Sequence, residues 1–180
     1  MRILFAAGES IGIPDLIARM NTPLTDAYDL VTSIEAYEAL PDKYAYDILV
    51  VFWGPPVQHI LNDQSKHNTR LKFVQALTAG IEDYLTAEDF RSSESIPLYN
   101  VRGAFSHVLG EFVALGMLYH SKHVEKWQAA KQAHRWEKGT VDLCSRKTMA
   151  IVGFGDIGAA CGRICKAFGT KIIGLKRRPE

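Results

Sequence analysis

The sequence predicts an α/β fold in two successive parts. A doubly wound parallel sheet comes first, and a long helix then leads into the start of a second parallel unit. Three observations predict it. Short apolar runs alternate along the chain with polar, helix-compatible stretches. Those runs are rich in Val, Ile, Leu and Phe without clean alternation, as strands covered by helices on both faces are. Late in the chain, a Gly-x-Gly-x-x-Gly sequence sits directly between a strand-like and a helix-like segment.

Five strands are expected in the first part, at 2–6, 29–33, 47–52, 71–77 and 97–100. The turns between them carry Gly12 and Pro14, Pro41-Asp42, Gly54-Pro55-Pro56 and Gly80. The opening apolar run is shorter than the roughly 7–15 residues of a secretory core, so it reads as the first strand. From Ser106 to about Trp136 there is no proline, and no glycine follows Gly116, which predicts one long helix with Ser106 as its N-cap. Its first half (Val108, Leu109, Phe112, Val113, Leu115, Met117, Leu118) is apolar almost all round and should be buried. Its second half, with Lys122, Glu125, Lys126, Lys131 and Arg135, should emerge into water. Residues 139–146 form the crossover. A strand then precedes the glycine sequence, a helix runs to about Phe168, and a strand at 171–175 closes the unit. The expected divisions are 1–104, 105–146 and 147–180.

Composition removes several function classes. Lys and Arg number 21 against 20 Asp and Glu, so no basic footprint for nucleic acid exists. Apolar residues make up 47% of the chain, too many for a disordered one. Three cysteines, Cys144, Cys161 and Cys165, are too few and too odd for a disulfide framework, which favours a reducing compartment. The most apolar later stretch, 112–119, falls far short of the ~20 residues that span a bilayer. A soluble, cytoplasmic protein with no membrane or nucleic-acid partner is expected. His120 and His123 are three apart, but no third ligand stands at recognisable spacing, so no metal is expected. Cys161 and Cys165 read as small apolar residues facing the sheet. No Gly-x-Ser-x-Gly or Walker sequence supports a hydrolase or phosphotransferase.

The glycine sequence Gly153-Phe154-Gly155-Asp156-Ile157-Gly158 carries the chemistry. Gly153 permits a tight turn, Gly155 lets backbone approach a pyrophosphate, and Gly158 lets helix pack on strand. The helix start then offers free N–H groups and a positive dipole end to phosphate. The bland alternative is a tight strand-to-helix turn with no ligand. About twenty residues on, sites that prefer NAD usually carry an acid for the ribose 2′-OH. Here Lys176, Arg177 and Arg178 stand there instead, with no acid before Glu180. Cations at that place suit the 2′-phosphate of NADP, so NADP is preferred over NAD, against the alternative of a solvated charge run.

The order of these segments resembles the D-isomer-specific 2-hydroxyacid dehydrogenases, especially the glyoxylate/hydroxypyruvate reductase branch. The matching stretches are Phe52-Trp53-Gly54-Pro55-Pro56-Val57, Val74-Gln75-Ala76-Leu77-Thr78-Ala79-Gly80-Ile81-Glu82, Asn100-Val101-Arg102-Gly103, Glu111, Trp136 and the glycine sequence. The resemblance implies a flavodoxin-like substrate domain, a long linker helix, and the start of a Rossmann NAD(P)-binding domain. It implies that backbone N–H groups at Ala79-Gly80 hold a substrate carboxylate, against the reading of a simple turn glycine. It sets Trp53 beside the substrate pocket, a core Trp being the alternative, and Ser106 near the nicotinamide, a plain N-cap being the alternative. Glu111 reads as structural.

The resemblance also implies the reaction: hydride passes between nicotinamide and carbon 2 of a small 2-oxo or 2-hydroxy acid, in a homodimeric full-length parent. In the family an arginine clamps the substrate, and a histidine held by an acid moves the proton. Those residues lie beyond the second Rossmann strand, and one βαβ unit alone takes about 30 residues, so a six-stranded dinucleotide domain cannot be complete here. No catalytic residue is therefore assigned, and this chain alone is expected to be inactive. The competing reading is a non-catalytic module derived from the family that binds a ligand or dimerises.

Overall fold

The computed structural model describes residues 1–8, 12–19, 27–54, 56–93 and 95–178. The chain divides into two compact units, Met1–Arg102 and Gly103–Glu180.

In the first unit the apolar runs become β1 (Arg2–Ala6), β2 (Ala27–Val31), β3 (Ile48–Val51), β4 (Phe73–Ala76) and β5 (Leu98–Tyr99). Between them stand α1 (Ile13–Ala18), α2 (Ile34–Glu38), α3 (Pro56–His67) and α4 (Glu88–Ser92), with a 3₁₀ turn at Tyr84–Thr86. The sheet order is β2-β1-β3-β4-β5, every pair parallel. That is the flavodoxin-like doubly wound order, whose crevices open at the carboxyl ends of the strands. Leu4, Ala6, Val31, Leu49, Val51, Val74 and Ala76 from the strands pack with Val57, Ile60 and Leu61 of α3 into the core.

The second strand lies two residues earlier than the expected 29–33. Ser33 is drawn off as the N-cap of α2, its Oγ accepting from the Ala36 amide at 3.1 Å, and so cannot extend the strand. Strands β3, β4 and β5 are each shorter at both ends than the expected 47–52, 71–77 and 97–100. Asp47 leaves β3 to accept the Arg2 amide at 2.9 Å, with Lys72 and Arg70 nearby at 3.5 and 3.6 Å. That backbone hydrogen bond and the two cations hold the Asp47 carboxyl below the usual carboxylate range. Between α2 and α3, Tyr37 donates to Asp63 at 2.6 Å and Gln64 donates to the Tyr37 oxygen at 2.8 Å. Burial pushes the Asp63 carboxyl up, but the bonds from Tyr37 and Lys43 outweigh it and hold the group low.

The second unit holds α5 (Ser106–Ser121), α6 (Val124–Gln132), a 3₁₀ turn at Cys144–Arg146, β6 (Thr148–Val152), α7 (Asp156–Lys166) and β7 (Lys171–Leu175). Strands β6 and β7 pair in parallel from Thr148↔Lys171 to Val152↔Leu175. The single long helix expected from 106 to 136 is two helices. His123 adopts a left-handed conformation, φ 53°, and breaks the run. The burial expected for the first half is also corrected. Val108, Leu109, Phe112, Val113 and Leu115 are exposed, whereas Ser106, Gly110, Ala114 and Ser121 are buried. The reason is close helix packing on small residues. A Cβ on Gly110 would stand 2.5 Å from Ile164 Cδ1 and 3.5 Å from the Ala160 carbonyl carbon of α7. The bulky side chains are thereby turned outward. Cys144, Cys161 and Cys165 are all free and buried.

Candidate functional site

The glycine turn joins β6 to α7, and its three glycines meet three different demands. Gly153 has φ +93°, a backbone region that side chains rarely adopt. A Cβ at Gly158 would lie 2.4 Å from the Gly153 carbonyl oxygen and 3.1 Å from Ile151 Cγ2, so helix and turn touch there. Gly155 meets neither demand. Its φ is −85°, and a Cβ there would find nothing within 4 Å. Neither a positive φ nor packing requires glycine at 155, which is the N-cap of α7.

The donors of the turn can be counted. The Gly153 and Phe154 amides both give their hydrogens to the Leu175 carbonyl, at 3.0 and 2.9 Å. They are spent on tying the turn to the end of β7. The amides at 155–158 open α7 and have no carbonyl four residues back to receive them. The same tie sets Lys176, Arg177 and Arg178, which follow Leu175 at once, beside the turn. All three cations are exposed. Phe154 is occupied otherwise: its ring lies against Gly162 of α7 and Gly174 of β7, where added Cβ atoms would approach to 3.1 and 2.4 Å. Ile157 is exposed and Asp156 stands in the first turn of α7.

Ser106 does not cap its helix. Phe105 occupies the cap position without a side-chain bond, and the buried Ser106 hydroxyl donates to Asp156 Oδ2. Glu111 pairs with His107 at 3.1 Å on the exposed face of α5. Among the described residues, no group of three or more His, Cys, Asp and Glu could hold a metal ion.

In the first unit, Trp53 is 58% exposed at the carboxyl end of β3, which excludes the core-Trp alternative. Its carbonyl accepts the Gly8 amide at 2.9 Å, and a Cβ at Gly54 (φ +151°) would approach that same amide to 2.7 Å. The backbones of Gly8 and Gly54 are thus pressed together. Trp53 lines a cavity of about 310 Å³ with Gly54, Val57, Gln58, Asp83 and Tyr84. The exposed Ala79-Gly80 segment follows β4 and is built from its flanks. Asn100 donates to the Ala79 carbonyl at 2.7 Å, and the Thr78 hydroxyl donates to the Gly80 carbonyl at 2.6 Å. Thr78 is also hydrogen-bonded to the Tyr84 hydroxyl at 3.1 Å, which ties this loop to the cavity wall. Burial raises the Tyr84 phenol and keeps it protonated. With both carbonyls occupied, the amides at 79 and 80 are the loop's remaining backbone polar groups. Sequence reasoning did not single out Thr78, Asp83 or Tyr84; the available signal was their adjacency to the Ala79-Gly80 segment.

Comparison with known proteins shows what the chain is similar to. Residues 114–180 match the family model described as D-isomer specific 2-hydroxyacid dehydrogenase, NAD binding domain. Over that stretch the chain is similar to the NAD-binding domain of D-isomer specific 2-hydroxyacid dehydrogenases. It is 29% identical over 117 residues to a D-lactate dehydrogenase from Treponema pallidum (strain Nichols), covering 62% of this chain and 34% of that protein. It is 28% identical over 114 residues to a hydroxypyruvate reductase from Blautia hydrogenotrophica, covering 57% of this chain and 34% of the relative. A solved NADPH-dependent glyoxylate/hydroxypyruvate reductase from Sinorhizobium meliloti, in complex with NADP and sulfate, superposes with TM-score 0.75 at 21% identity. That likeness covers 100% of this chain and 54% of the solved one. The chain therefore spans about a third of those curated relatives and about half of the solved chain. None of its helices, among the described residues, is long and apolar enough to cross a membrane.

Proposed function

We propose that this chain supplies the cofactor-phosphate turn and the substrate-carboxylate loop of an NADP-preferring 2-hydroxyacid dehydrogenase that acts on a small 2-oxo or 2-hydroxy acid in the cytoplasm. The observation that carries the reading is Gly155, a glycine that neither backbone strain nor packing requires, at the mouth of a helix with unclaimed amides. The amides at 155–158 would hold the pyrophosphate at the positive end of α7. Lys176, Arg177 and Arg178 would meet a 2′-phosphate, which favours NADP over NAD. The bound dinucleotide supplies the hydride exchanged with carbon 2 of the substrate. The amides of Ala79 and Gly80 would bind the substrate carboxylate, and Trp53 would close the pocket wall above the rest of the acid. We assign no catalytic acid, base or clamp within the chain, and the 180 residues alone should show no turnover with glyoxylate or hydroxypyruvate. The exposed apolar side of α5, with Phe112 73% and Val108 61% exposed, supports a homodimer of the complete enzyme.

The test is Gly155→Val, read by NADPH fluorescence on titration. Its side chain has room in the protein and the lost N-cap glycine costs only about 1 kcal/mol, so secondary structure should be retained while binding falls at least tenfold. A variant that binds NADPH as the parent does would overturn the reading.

A further inference from the structure

Asp156 poses a problem for the proposed site. A carboxylate in the first turn of α7 lies among the amides that a diphosphate needs, and like charges at that range weigh heavily against binding. Left free, it would also turn onto those N–H groups itself, since acids at a helix start are favoured there. The structure gives the carboxylate another place. Ser106 Oγ, on a residue only 7% exposed, donates to Asp156 Oδ2. Gly103, with φ +90°, faces the same oxygen, an added Cβ standing 3.8 Å from it. Helix α5 has no acid in its first turn and no side-chain cap, so the Asp156 charge meets its positive end.

We propose that Ser106 is a positioning residue for the dinucleotide site: its hydroxyl holds the Asp156 carboxylate at the start of α5 and so keeps the amides at 155–158 open to diphosphate. This rests on the reading of the turn as a phosphate site. It gives Ser106 a task other than contact with the nicotinamide. It also explains how an acid is tolerated inside the glycine sequence.

The test is a two-residue cycle on the whole chain, with inorganic pyrophosphate and NADPH as probes. Binding is followed by NADPH fluorescence and by the amide NMR shifts of residues 155–158. Ser106→Ala should weaken both probes about tenfold, because it releases a unit charge toward the phosphates. Asp156→Asn should bind at least as tightly as the parent. The double variant Ser106→Ala/Asp156→Asn should recover the parent affinity, although it lacks the same hydrogen bond as Ser106→Ala. That recovery separates positioning from structure: if Ser106 merely braces α5 or touches the ligand, the double variant stays as weak as the single one, and the proposal is overturned. Unchanged binding in Ser106→Ala overturns it too. If the parent shifts no amide at 155–158 with either probe, the phosphate-site reading fails and this inference falls with it.

Discussion

Replacing Gly158 by alanine tests whether helix α7 is seated on the turn as tightly as the geometry requires. The new methyl would meet the Gly153 carbonyl oxygen at 2.4 Å and its carbon at 3.2 Å, with Ile151 Cγ2 at 3.1 Å. Two of those three neighbours are backbone and cannot swing aside, so α7 must lift or the turn must shift. Overpacking costs about 1–3 kcal/mol, and a clash with backbone that cannot yield places this one at about 2–3 kcal/mol. Alanine in a helix recovers about 1 kcal/mol relative to glycine, which leaves a net loss of about 1–2 kcal/mol. For a unit of this size, that corresponds to roughly 5–10 °C in its unfolding midpoint. Gly162→Ala is the internal control. It gains the same propensity, but its methyl meets only side-chain carbons, Phe154 Cε2 at 3.1 Å and Ile172 Cγ2 at 3.3 Å, which can give. Its net change should lie within about 1 kcal/mol of zero. Thermal unfolding followed by circular dichroism, with exchange of the amides at 150–152 as a local reporter, distinguishes the two. A Gly158→Ala chain as stable as the parent would refute the tight seating and, with it, the packing role of the third glycine.

Three other outcomes are expected. Strands β6 and β7 should open before the first unit does, because Val152 and Leu175 are 82% and 63% exposed and the pair has no third strand among the described residues. Amides at 150–152 and 172–173 should therefore exchange much faster than those at 49–52 and 73–75, and equal protection would contradict this. The first unit should lose stability in acid. Asp47 and Asp63 have folded pKa values below their unfolded ones. Their contribution is therefore complete above the ordinary carboxylate value of about 4 and lost as pH falls through the lower folded values. Asp63→Asn should flatten part of that acid slope in a pH series of denaturant midpoints, and an unaltered slope would exclude it. On the proposed reading, Arg177→Ala with Arg178→Ala should weaken NADPH by tenfold or more per side chain, since charge-assisted bonds contribute about 1.5–3 kcal/mol each. NADH should be nearly unaffected, and equal losses for both cofactors would end the case for a 2′-phosphate site.

Much of this was legible in the chain itself. Local composition determined that apolar runs such as Ile48–Val51 and Lys171–Leu175 are strands, because their β-branched residues suit a pleated surface and their flanks carry turn chemistry. The spacing of Gly153, Gly155 and Gly158 announced a strand-turn-helix site, since that demand is met within six consecutive residues. Properties that depend on partners distant in sequence were decided only in three dimensions. Hydrophobicity alone sent Val108, Phe112 and Leu115 to the core. Gly110 faces α7 instead and Ala114 is buried, because close approach of two helices rewards the smallest side chains. A run without proline or glycine read as one helix, while the left-handed His123 divides it. Ser106 had the residue type and position of a cap, yet its hydroxyl is claimed by Asp156, fifty positions away. The separation of roles among the three glycines likewise required the surrounding atoms. A strained φ marks Gly153 and a blocked Cβ marks Gly158, but Gly155 is marked by empty space, which no sequence can display.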